Sequence, residues 1–91
     1  MQIKEGQRFA LIKLCQNYIK SRNGRLFLVS KILDKEVKSF SELSIDDWQL
    51  IRNLAYENWY QDDWTIDTRF ANLAYKYAEE YELSLGQGTL F

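Results

Sequence analysis

Apolar side chains recur at three- and four-residue steps along most of this chain, the spacing that one buried helix face requires. In GQRFALIKLCQNYIKSRNG, Phe9, Leu11, Ile12, Cys15, Tyr18 and Ile19 keep that spacing and predict a helix over residues 6–22. Asn23-Gly24 then reads as its stop, with Gly24 free to take a left-handed cap and Lys20 and Arg22 close to the negative helix end. The next segment, RLFLVSKILDKEVKSF, sets Leu26, Val29, Leu33 and Val37 on a second helical stripe with Ile32 beside it. The run RLFLV alone fits a strand equally, because a short apolar run has no unambiguous period. No partner strand with turn chemistry lies nearby, so helix is the expectation for residues 25–33.

The third segment gives the firmest pattern. Ser44 with Asp47 three residues on forms a capping box in which Asp replaces the usual Glu, and Asp46 adds charge that suits a helix start. Trp48, Ile51, Leu54 or Ala55, and Trp59 follow at helical spacing, which predicts a helix over 45–60. QDDWT interrupts the period and supplies a turn. Thr65 is the expected N-cap of a last helix, IDTRFANLAYKYAEEYEL, whose face is Ile66, Phe70, Leu73, Ala74, Tyr77 and Tyr81. Glu79, Glu80 and Glu82 oppose the macrodipole at its end, where fraying is expected. The fold class is all-α, an irregular bundle of about four helices over residues 1–83, with a flexible tail over 84–91.

Composition agrees with this reading. The chain has 91 residues, 46% of them hydrophobic, no proline and only four glycines, so one packed helical core is within reach. Cys15 is the single cysteine and there is no histidine, which removes internal disulfides and the commonest metal ligand and general base. The first residues, MQIKEGQ, lack the pattern of a signal peptide, and the apolar runs are far shorter than a membrane span. A soluble cytoplasmic protein without a cofactor is expected.

Charge is divided along the chain although the net is −1. Residues 1–45 carry nine Lys or Arg against four acids, and residues 46–91 carry three against nine. Such halves attract each other within one fold, and a basic half also suits phosphate. The candidate nucleic-acid-binding surface, which would contact phosphates, is Arg22, Arg25, Lys31, Lys35 and Lys38, and a nucleic-acid binder using this basic half is an alternative expectation. Asp46, Asp47, Asp62, Asp63 and Asp67 all fall at helix starts or turns, where capping explains them without a metal or a catalytic acid pair. Trp48, Trp59 and Trp64, with Tyr56 and Tyr60, have acidic neighbours, which favours core packing or a protein interface over base stacking. No nucleophile–base pair, phosphate loop or metal cluster stands out, and the chain reads as a non-enzyme. A protein-interaction module using the aromatic-rich third helix, with the oligomeric state left open, is one expectation.

The last five residues carry the sharpest signal. In QGTLF, Gln87, Leu90 and Phe91 occupy the positions of a glutamine, two variable residues, leucine and phenylalanine. This resembles the short peptide by which many bacterial and phage proteins bind the DNA sliding clamp. The resemblance covers only these five residues. It implies that the glutamine amide enters one small pocket and that the leucine and phenylalanine fill an adjoining apolar groove. Gly88 stands where that family often has leucine, and Thr89 where serine or aspartate is common, which lowers the affinity implied. Burial of the apolar pair contributes about 1.5–3 kcal/mol per side chain. Ordering the tail opposes this by about 1–2 kcal/mol per residue. A micromolar contact, near −8 kcal/mol, is the balance expected. An adaptor and a competitor of other clamp-binding proteins fit this reading equally. The alternative for the tail is that Leu85, Leu90 and Phe91 fold back onto the bundle.

Overall fold

The structure, a computed structural model, describes residues 1–85 with their side chains and carries the backbone of the last helix to Leu90. The side chains of Gln87 and Leu90, and the whole of Phe91, lie outside what is described. Four helices account for most of the chain: α1 (Glu5–Gln16), α2 (Arg22–Leu33), α3 (Ile45–Ala55) and α4 (Thr68–Leu90). Between α3 and α4 the chain forms an antiparallel hairpin of β1 (Tyr56–Asn58) and β2 (Asp63–Ile66), joined through a 3-10 turn at Trp59–Gln61. The fold is therefore mostly helical with a small two-stranded sheet, not all-α.

Helix α2 is the centre of the packing, since it touches α1, α3 and α4. Leu28 and Val29 of α2, Leu11 of α1 and Ile51 of α3 are wholly buried, and Phe70, Ala74 and Ala78 bring one face of α4 onto the same core. Small alanines on that face let the long helix lie close to its neighbours. The N-terminal residues are pinned by an extended pairing beside α3. Ile3 N–H donates to the Leu43 carbonyl at 2.8 Å and Ile45 N–H to the Met1 carbonyl at 2.9 Å.

The first expected helix, residues 6–22, ends early. Helix α1 ends at Gln16, and Ser21 starts α2 by accepting from Gly24 N–H at 3.0 Å. Asn23-Gly24 thus lies in the first turn of α2, and no glycine among the described residues takes positive φ. Gly24 is needed for room. A Cβ there would meet Cδ1 of buried Ile19 at 2.2 Å and its Cγ1 at 2.5 Å. The left-handed stop belongs to Asp34 (φ 55°), one residue past α2. Asp34 N–H bonds back to the Lys31 carbonyl and Lys35 N–H to the Ser30 carbonyl, a Schellman arrangement in which aspartate replaces glycine. Val37 is buried, but beyond the helix, where its N–H donates to Ser30 Oγ at 3.0 Å. Phe9, expected in the core, is 54% exposed.

The helical reading of residues 25–33 holds, and so does the capping box of α3. Asp47 N–H donates to Ser44 Oγ at 3.1 Å, and Ser44 N–H donates to the Asp47 carboxylate at 3.0 Å. Helix α3 stops at Ala55 rather than 60, because the residues that follow pair as strands, Tyr56 with Ile66 and Asn58 with Asp63. Of QDDWT only Gln61 and Asp62 belong to the turn, Asp62 left-handed at φ 58°, whereas Asp63, Trp64 and Thr65 open β2. Asp67, not Thr65, caps α4, its carboxylate accepting from Arg69 N–H at 2.7 Å and Phe70 N–H at 3.3 Å. Ser84 and Leu85, placed in the tail by the sequence pattern, belong to α4.

Replacing Gly24 by alanine tests the close packing. Helix propensity alone favours alanine by about 1 kcal/mol. Overfilling a packed site costs about 1–3 kcal/mol, so the clash is expected to win. The expected result for Gly24→Ala is a lower urea midpoint at unchanged slope; an equal or higher midpoint contradicts this role for Gly24.

Candidate functional site

Two surface concavities gather the residues that the sequence marks for function. The first, about 640 Å³, runs along α2 and the segment after it. Arg22, Lys31, Lys35 and Lys38 line it, with Phe27 and Val37 as apolar wall. Four of the five basic candidates are therefore brought together. Arg25 is not among them, because its guanidinium turns back to the Lys20 carbonyl. Lys31 lies 5.5 Å from the centroid of the Phe27 ring, so its charge is held over an aromatic face. Asp34 and Glu36 also line the groove and temper its positive field.

Lys35 is the least available of these cations. Its ammonium bridges both oxygens of Asp47, at 2.9 and 3.0 Å, joining the basic half of the chain to the acidic half. Burial raises the Asp47 pKa, but the Ser44 N–H and the Lys35 ammonium outweigh it and hold the carboxyl below its ordinary 3.8. Asp62 and Asp63 are engaged locally. Asp62 accepts from Trp64 Nε1 at 3.0 Å, and Asp63 accepts from the Thr65 hydroxyl at 2.6 Å and its N–H at 3.1 Å. Those bonds from Thr65 hold Asp63 below its ordinary value as well. Capping and turn formation thus account for Asp47, Asp62, Asp63 and Asp67, and Asp46 sits in the first turn of α3. Among the described residues no three His, Cys, Asp or Glu side chains converge as metal ligands. Cys15 is buried, and burial, opposed by the charge of Arg25, pushes its thiol up to about 12.

The second concavity, about 450 Å³, separates α1 from the hairpin. One wall is Ala10, Lys13 and Leu14 of α1 with Asn17 just beyond it, and the hairpin wall is Tyr56, Trp64 and Ile66. Trp48 of α3 also lines it. Trp48 is buried, whereas Trp64 is 50% exposed and packs edge-on against Tyr56 with ring centroids 5.1 Å apart. Tyr18, just beyond α1, meets Tyr75 of α4 at 4.9 Å and the buried Phe70 at 6.1 Å, both edge-on. Burial first, then the neighbouring phenols of Tyr75 and Tyr56, raise the Tyr18 pKa, and burial raises that of Tyr56. Both stay neutral donors at physiological pH.

The expected aromatic-rich third helix is corrected by this geometry. Tyr56 is the first residue of β1, and Trp59 and Tyr60 lie in the hairpin turn; only Trp48 belongs to α3. Arg52 of α3 lies flat on Trp59, its guanidinium carbon 3.5 Å from the ring centroid, and so braces the hairpin against the helix. Sequence reading missed the α1 wall of the cleft. Lys13 and Asn17 look like ordinary solvent positions of an amphipathic helix, and only the hairpin packed against α1 makes them part of a site.

The Asp47 contact has a pH signature. A carboxyl whose pKa is lower in the folded state binds fewer protons there than in the unfolded chain, so stability rises with pH in that window and is lost as pH falls. The contribution is expected to be complete above the ordinary aspartate value of 3.8 and to fade as pH falls below it. Urea midpoints of wild type and Asp47→Asn should accordingly converge on acidification from pH 6 towards about 2. A constant gap contradicts the ion pair as its source. No family model, curated protein or solved structure matches this chain.

Proposed function

We propose that the protein is a small non-enzymatic adaptor or regulator that docks on a bacterial-type DNA sliding clamp through Gln87, Leu90 and Phe91. The observation that carries this reading is the spacing of those three residues in QGTLF, which matches the three fixed positions of clamp-binding peptides. The chemistry of the body supports binding over catalysis. Its carboxylates are used in caps and turns, and its thiol is buried and protonated. Exposed aromatic surface at Tyr60, Trp64 and Tyr75 suits a protein that works through contacts. The residues before the motif are helical, with Leu83 and Leu85 exposed.

A second reading, nucleic-acid binding, has one observation in its favour: Arg22, Lys31, Lys35 and Lys38 line a single groove. Three of these are open to phosphate, since Lys35 is held by Asp47. Neutralising about three phosphates gives a salt slope of roughly −2 to −3. Binding of an oligonucleotide should then weaken with salt at that slope and drop on Arg22→Ala with Lys31→Ala. Salt-insensitive binding would remove this reading.

For the clamp, retention on an immobilised bacterial sliding clamp is the direct comparison. Wild type is expected to be retained with micromolar affinity, and the double variant Leu90→Ala, Phe91→Ala to be lost. Removal of two buried side chains at about 1.5–3 kcal/mol each weakens binding by far more than tenfold. Equal retention of the two proteins contradicts docking through this motif.

A further inference from the structure

We infer that the cleft between α1 and the hairpin is a second docking site, one that takes a short apolar segment of a partner protein bearing a single carboxylate. The hairpin wall, Tyr56, Trp64 and Ile66, would receive an aromatic or long aliphatic anchor, and Lys13 would receive the carboxylate. The volume, about 450 Å³, lies in the range of sites that enclose side chains or small ligands. Trp64 stands half in water, yet it is held in place by its Nε1 bond to Asp62 and its edge contact with Tyr56. An aromatic anchor fixed before binding loses little freedom when a partner covers it. Ala10 on the facing wall leaves space for a partner backbone to approach α1.

Charge selects the partner and its orientation. Lys13 is the one charged residue lining the cleft, and among the described residues it has no ion pair. An apolar cleft with one unpaired cation complements a segment that joins an apolar side chain to one acid. Asn17 adds an amide that can donate to and accept from the segment's backbone. The hairpin itself carries Glu57, Asp62 and Asp63. None of these three acids lines the cleft, so Lys13 alone sets the charge there, and it matches one acid rather than the repeated phosphates of a nucleic acid. The carboxylate must therefore lie towards α1 and the apolar anchor towards the hairpin. This site does not depend on clamp binding, and with the tail it would let one small protein hold two partners.

The test is selection of a peptide library displayed on phage against the full-length protein, with Trp64→Ala as the counter-selecting protein. Enriched sequences are expected to set one Asp or Glu within a helical turn of an aromatic or leucine. A synthetic peptide of the enriched sequence should lose at least about thirtyfold in affinity against Trp64→Ala, the size of an interface hot spot. Against Lys13→Glu it should lose about tenfold or more, and against Lys13→Arg it should stay within about threefold, since charge and not shape is removed. A peptide whose acid is changed to lysine should regain affinity for Lys13→Glu, which a merely misfolded variant cannot produce. Enrichment no better than for Trp64→Ala, peptides without an acid, or indifference to Lys13→Glu would each overturn the inference. So would sedimentation showing a dimer that Trp64→Ala dissociates, or displacement of the peptide by a single-stranded oligonucleotide. The clamp enters none of these measurements, so their failure leaves the clamp reading standing and its failure leaves them intact.

Discussion

The shape of this molecule turns on one backbone hydrogen bond, from Asp67 N–H to the Ala55 carbonyl at 2.7 Å. Ala55 is the fully buried last residue of α3, and a buried carbonyl at a helix end must find a donor. Asp67 supplies it and in the same place caps α4 with its carboxylate. The end of one helix is thereby tied to the start of the next. The eleven residues between have to leave and return, and they do so as the hairpin. Tyr56 opposite Ile66 forms the base of that ribbon, and Trp64 packs on Tyr56 above α1. The aromatic cleft is a consequence of that closure.

Charge segregation along the chain has a modest structural role. Lys35 with Asp47 is the ion pair that links the two halves among the described residues, and it is built onto the Ser44 capping box. An exposed pair of this kind contributes little by itself. Its value here is positional, since it ties the segment after α2 to the first turn of α3. The other cations of α2 are left on a groove that Asp34 and Glu36 partly neutralise. A protein that relied on phosphate for most of its affinity would be expected to carry a cleaner positive field. That contrast is why contacts with proteins come first in the functional reading.

Local chemistry was legible in the residues themselves. Ser44 and Asp47 announced the start of α3, and the stripe of Leu26, Val29 and Leu33 announced α2. Gly24 misled because glycine after a helical run suggests a cap; its real constraint, the side chain of Ile19, exists only after α1 and α2 have packed. Asp34 and Asp62, which take the left-handed turns, lack the glycine signal that would have marked them. The hairpin was hidden because Trp48, Ile51, Ala55 and Trp59 continue a helical period across its first strand. The cluster of aromatic and β-branched residues at Tyr56, Trp64, Thr65 and Ile66 was the available clue. The cleft could not be read at all, because its walls come from segments far apart in sequence and neither is unusual alone.

The central proposal is that the protein reaches a sliding clamp through Gln87, Leu90 and Phe91, leaving the aromatic cleft open. Amide chemical-shift mapping of the labelled protein, titrated with unlabelled bacterial clamp, measures this most directly. The account predicts that the largest perturbations fall on Gln87, Leu90 and Phe91, with the Trp64 indole resonance unmoved. Perturbations centred on α2 or on the cleft, or a spectrum that does not change, would contradict it.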